Sequence, residues 1–162
     1  MSQSNKSMQI FVPKFRISEI LEEIKICLEK GWTGMGFKTL EFEKQWSKFT
    51  NLPNSRYLSS NTAGLHLALN IFKKEDGWED GDEVITTPLT FVSTNHSILY
   101  ENLKPVFADV DDSLCLDPDS VLKNISDRTR AVIFVGIGGN LGRLKEISKI
   151  CKKHNLRLIL DA

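Results

Sequence analysis

Ser59-Ser60-Asn61-Thr62-Ala63-Gly64-Leu65-His66-Leu67-Ala68-Leu69 sets small polar residues directly ahead of an apolar, helix-forming run. The stretch Arg56–Leu58 before it reads as a short strand. A strand that turns through small residues into a helix leaves room there for an anion. The first N–H groups of a helix have no intrahelical partner, and the helix dipole adds partial positive charge. Asn61 or Thr62 can cap the helix, and the amides around them can hold a phosphate. Taken alone, the stretch favours the ordinary cap, since most helices begin on Ser, Thr, Asn or Asp. The residues C-terminal to it shift the balance.

Downstream the pattern alternates. Val84–Thr87 reads as a strand that ends at Pro88, and Thr90–Tyr100 as a helix. Strand Pro105–Val110, a short helix Pro118–Asn124, strand Ala131–Val135, helix Leu141–His154 and strand Leu156–Leu160 complete the series. Strands alternating with helices predict an α/β fold: three layers, a mainly parallel sheet with helices on both faces. Upstream, Ile17, Ile20, Leu21, Ile24, Cys27 and Leu28 recur at helical spacing, with Ser18 as the expected N-cap and Gly31 at the C-terminal stop. A second helix is expected from about Thr39 to Phe49, with Phe42, Trp46 and Phe49 on one face. No repeat or linker interrupts the chain, which reads as one unit: a polar tail (1–12), N-terminal helices (13–50) and an α/β core (51–162).

The 162 residues suffice for a sizeable core. Lys plus Arg and Asp plus Glu are both 21, so no net basic charge points to nucleic acid or anionic lipid. No signal-like or membrane-spanning run is present, and cytoplasm is the expected compartment. Cys27, Cys115 and Cys151 form neither a metal pair nor a disulfide framework. Cys27 and Cys151, on apolar helix faces, are expected to be buried free thiols.

Four features fall at strand ends or helix starts: the Ser60–Gly64 turn, Thr90-Phe91, the glycine cluster Gly136–Gly142, and Asp161. In open α/β sheets ligands bind at the carboxyl ends of the strands. An anion cup, a flat aromatic platform and a carboxylate suit a planar, phosphorylated heteroaromatic cofactor. Pyridoxal 5'-phosphate (PLP) fits, because a carboxylate keeps its ring nitrogen protonated. The chain stops where a buried strand delivers an acid, so it reads as the front part of a longer protein.

These residues also carry a family resemblance. Ser60-Asn61-Thr62-Ala63-Gly64-Leu65-His66-Leu67-Ala68-Leu69 resembles the S-G-T-A-A-L-H-L-A-L signature of the DegT-like PLP-dependent sugar-nucleotide aminotransferases, which have fold type I. Gly81-Asp82-Glu83-Val84-Ile85 with Pro88-Leu89-Thr90-Phe91-Val92, Lys104–Asp111 and Thr129–Ile133 are similar to further blocks of that family. So is Gly31-Trp32-Thr33-Gly34-x-Gly36 with Phe42-Glu43. The blocks are collinear and cover nearly everything after Val12. The resemblance implies an incomplete large domain whose full-length enzyme moves an amino group, typically from glutamate, to a keto-sugar nucleotide. It implies backbone amides of Thr62 and Ala63, and the Thr62 hydroxyl, on the cofactor phosphate, with Asn61 in the same turn. Phe91 would stack on the ring and Asp161 would pair with its nitrogen. Trp32 and Thr33 would lie where substrate and dimer contacts gather, and a homodimer is expected.

Three departures stand out. Asn61 replaces the usual glycine. Gly136 and Gly138 stand where many members carry a histidine and a tyrosine. The Schiff-base lysine that completes transamination is expected beyond Ala162, and no lysine in the chain matches it. His66 and His96 read as packed or surface helix residues, and His154 as a partner of a helix C-terminus. A dehydratase or a non-catalytic homologue therefore remains open. So does a dinucleotide-binding domain, with Gly136-x-Gly138-x-x-x-Gly142 opening a helix and Asp161 lying roughly 20 residues on.

Overall fold

The computed structural model describes residues 12–162. The expected polar tail falls, apart from Val12, outside the described residues. Two compact units make up the chain, divided between Tyr57 and Leu58 rather than forming the single unit the sequence suggests. No linker composition marks that point, which is why the sequence conceals it.

The first unit holds helices α1 (Ile17–Glu29) and α2 (Phe37–Thr50). The N-cap of α1 is Arg16, with no side-chain cap bond, so Ser18 lies inside the first turn and does not cap. Gly31 does close α1: with φ +66° it lets its own N–H reach the Leu28 carbonyl and that of Trp32 reach Cys27. Cys27 is only half-buried, while Cys115 and Cys151 are fully enclosed. Along α2, Phe42 stacks on Trp46 and Trp46 packs against Phe49, as the helical spacing requires. Arg56–Leu58 forms no strand. The backbone N–H of Tyr57 bonds Glu43 Oε1 at 2.8 Å, so a side chain satisfies a donor that a ladder would otherwise use.

The second unit is a three-layer α/β fold. Helix α3 (Asn61–Asp76) is followed by β1 (Glu83–Thr86), α4 (Val92–Tyr100), β2 (Lys104–Phe107) and α5 (Pro118–Asn124). Then come β3 (Thr129–Val135), α6 (Leu144–Lys153) and β4 (Arg157–Asp161). The four strands are parallel in the order β2-β1-β3-β4. Alternation along each strand separates two cores. Val84, Ala131, Ile133 and Ile159 pack with Leu65 and Leu69 of α3 and Ile98 of α4. Ile85, Val132 and Phe134 pack with Val121 of α5 and Ile147 and Cys151 of α6.

Several elements are shorter than expected, each for a local reason. Pro88 and a bond from Leu89 N–H to Thr87 Oγ1 shape the turn after β1, so α4 begins at Val92 rather than Thr90. Strand β2 stops at Phe107 because β1 ends; Asp109 N–H then turns to Ser120 Oγ. Gly142, at φ +41° and bonded through its N–H to Asn140 Oδ1, delays α6 to Leu144.

Candidate functional site

The strand order reverses between β1 and β3: β2 lies on one side of β1, and β3 with β4 on the other. In parallel α/β sheets such a switch opens a crevice at the strands' carboxyl ends. A cleft of about 390 Å³ lies there. Val135 and Asp161, the last residues of β3 and β4, form its floor; Thr90, Phe91 and Ser93 come from the turn into α4, and Asn61 and Thr62 from the start of α3.

Helix α3 is capped by Ser60, whose hydroxyl accepts from Ala63 N–H at 3.1 Å. Asn61 and Thr62, the expected caps, instead occupy the first helical turn. The amide of Ala63 is thereby already paired, whereas those of Asn61 and Thr62 carry no bond among the described residues. Of these three residues, Asn61 and Thr62 line the cleft with unpaired amides, and Ala63 is not among its lining residues.

Asp161 is the most heavily coordinated side chain of the cleft. Asn61 Nδ2 donates to its Oδ1 at 2.6 Å, and Thr94 Oγ1 to its Oδ2 at 2.6 Å. Its main chain is held as well, with the Gly136 N–H on the Asp161 carbonyl at 2.9 Å. Phe91 caps α4 with extended backbone and is 78% exposed, a large apolar ring left open above the strand ends. An exposed phenylalanine at a cleft rim offers a stacking face for a planar ligand.

The structure thus brings Asn61, Thr62, Phe91 and Asp161 around one cleft. Trp32 and Thr33 belong to the first unit and line a groove of about 1080 Å³ against α1, where Trp32 Nε1 donates to the Met35 carbonyl at 3.1 Å. Sequence reading missed Thr94. In sequence it is one more residue of a helix, and only the fold aims it at Asp161. His66 lies off the cleft on α3, with Nε2 at 2.6 Å from Glu101 Oε1, where it clasps α3 to the end of α4. His96 packs against Tyr100, and the backbone N–H of His154 closes the end of α6.

The glycine cluster does not open a helix on a phosphate. Ile137–Gly139 makes a short 3-10 turn, and α6 starts only at Leu144. Gly142 is glycine because a Cβ there would stand 2.7 Å from the Cβ of Cys115. A turn that does not lead directly into α6, with a glycine at 142 set by packing, removes the basis of the dinucleotide reading.

The chain is thus a parallel α/β sheet with an acid, an aromatic ring and a helix N-terminus around its switch-point cleft. The chain belongs to the DegT/DnrJ/EryC1/StrS aminotransferase family, whose model matches residues 15–162. It is 38% identical over 145 residues to the spore coat polysaccharide biosynthesis protein SpsC of Bacillus subtilis (strain 168), covering 89% of this chain and 36% of that protein. Among solved structures it is similar to DesI in the presence of its TDP-sugar product, with TM-score 0.79 and 30% identity over 92% of this chain and 37% of that one. It is also similar to NtdA from Bacillus subtilis with bound cofactor PMP, with TM-score 0.81 and 27% identity over 90% and 33%. The chain spans about a third of the length of these relatives.

Proposed function

We propose that these residues form the N-terminal part of a PLP-dependent aminotransferase that moves an amino group, typically from glutamate, to a keto-sugar nucleotide. The observation that supports this most is the Asp161 carboxylate at the end of β4, sharing one cleft with Phe91 and the start of α3. The structure of DesI in the presence of its TDP-sugar product and that of NtdA with bound cofactor PMP support the substrate and cofactor classes.

The residues present fit that cofactor. Asp161 keeps lone pairs beyond the two engaged by Asn61 and Thr94, so it can accept the proton of a ring nitrogen. Phe91 offers a face for the ring. The Thr62 N–H and hydroxyl, with the Asn61 N–H, take the phosphate at the positive end of α3. Bound there, the cofactor supplies an electron sink for reaction at the amino-bearing carbon. Asp161 holds the ring proton, Phe91 fixes the ring plane and the α3 terminus fixes the phosphate. The lysine that moves the substrate proton belongs to residues beyond Ala162, and Trp32 and Thr33 belong to the substrate and subunit contacts of a homodimer. On this reading the chain comprises N-terminal helices (13–50) ahead of an incomplete large-domain core (51–162).

Full-length protein is expected to take up PLP with visible absorbance and to aminate a keto-sugar nucleotide with glutamate as donor. Asp161→Asn should abolish turnover while leaving the far-ultraviolet circular dichroism and thermal midpoint nearly unchanged. A protein that takes up no PLP, yet binds NADH, would overturn the reading.

A further inference from the structure

We propose that Thr94, with Asn61 on the opposite oxygen, is a positioning residue that sets the plane of the Asp161 carboxylate; this rests on reading the cleft as a PLP site. Thr94 is 0% exposed, and its hydroxyl stands 2.6 Å from Asp161 Oδ2 and 2.8 Å from Thr90 Oγ1. The Thr94 hydroxyl donates its single proton to Asp161 Oδ2. The proton between the two threonines must then come from Thr90. Donation therefore runs one way, from Thr90 to Thr94 to Asp161.

A buried threonine in a helix commonly bonds a carbonyl of the preceding turn. Ser97, one turn on, keeps that habit, with its Oγ at 2.8 Å from the Thr94 carbonyl. Thr94 instead reaches a side chain 67 residues away on β4. Asn61 Nδ2 closes the other side at 2.6 Å from Oδ1. A carboxylate gripped on each oxygen by a different helix cannot turn about its Cβ–Cγ bond without losing a charge-assisted bond. One lone-pair direction on each oxygen remains for an incoming N–H. Asn61 does here what a glycine at that position cannot.

The test compares the affinity of full-length protein for pyridoxamine phosphate with that for its 1-deaza analogue, in which CH replaces the ring nitrogen. Wild type should prefer the natural ring. Thr94→Val keeps the shape of the side chain but removes the donor, and should shrink that preference about tenfold, the scale of a hydrogen bond to a charged group. Thr94→Ser should keep it. Asn61→Ala, at an exposed position, should shrink it by about threefold. An unchanged ratio in Thr94→Val, or equal loss of both ligands, overturns the proposal and leaves the PLP reading standing. If circular dichroism shows Thr94→Val unfolded, Asn61→Ala decides alone, and an unchanged ratio there overturns the proposal. A wild type that binds neither ligand fails the PLP reading itself.

Discussion

At the residue scale, Gly142 shows how a position can be closed to every side chain. Its φ of +41° already disfavours an L-residue, and an added Cβ would lie 2.7 Å from Cys115 Cβ and 2.7 Å from Ser113 Oγ. Ser113 is itself tied to Asp111 through its hydroxyl, which limits retreat. Gly142→Ala should lower unfolding free energy by about 2–3 kcal/mol, read from urea denaturation. Gly138→Ala, with positive φ but open space, should cost only about 1 kcal/mol. Cys151 is a second case of a residue defined by its surroundings: burial pushes its thiol up to about 11, so it stays protonated and inert at neutral pH.

At the scale of elements, the start of α3 is the piece on which the cleft depends. Ser60 has extended backbone and accepts the Ala63 N–H, leaving the two preceding amides facing outward. Ser60→Ala should destabilise the protein by about 1 kcal/mol, and Ser60→Asp should restore most of it, with an unchanged denaturant slope in both. The rest of α3 is braced as firmly. Glu101 accepts from His66 and from Asn70 at 3.0 Å, and Arg157 of β4 makes paired 2.7 Å bonds to Asp76. Its helical periodicity was readable in sequence, as was that of α4 and α6. The boundaries were less so, because they depend on turn chemistry such as the Thr87–Leu89 bond and on where a neighbouring strand runs out. Arg56–Leu58 has strand-like composition but no partner, and a strand exists only as one member of a ladder.

Across the whole second unit, charge is arranged so that the two ends of the sheet differ. The amino end carries ion pairs. Asp82 is buried, which by itself raises its pKa, but Arg130 at 2.8 Å, the Glu79 N–H and Arg128 together hold it below the ordinary carboxylate value. Glu83 is held low by the Ser126 hydroxyl and by Lys104. Both groups bind protons less readily folded than unfolded. Their stabilisation is therefore complete above the ordinary carboxylate range, about pH 4, and is lost as pH falls through the folded values. Urea midpoints should stay level from pH 7 to about 5 and fall below about 4. Asp82→Asn should lower the midpoint at pH 7 and make that acid limb shallower. Among the described residues no helix is long and apolar enough to cross a membrane.

By itself the sequence determined the periods, and with them most of the element types and the three layers, because apolar spacing and turn residues act within a few positions of one another; the family was legible only as a resemblance of collinear blocks such as Ser60–Leu69. It also pointed to Asn61, Thr62, Phe91 and Asp161 as neighbours of one ligand. Only the tertiary structure decided which donors hold Asp161. Asn61 and Thr94 lie 100 and 67 residues from it, and they meet it because the order β2-β1-β3-β4 carries the end of β4 to the starts of α3 and α4. Folding likewise assigned the Ala63 amide to Ser60, the Gly142 turn to packing and the division of the chain to Tyr57 and Leu58. Local pattern cannot encode such choices, since a hydrogen bond is made by whichever partner the folded chain brings within reach.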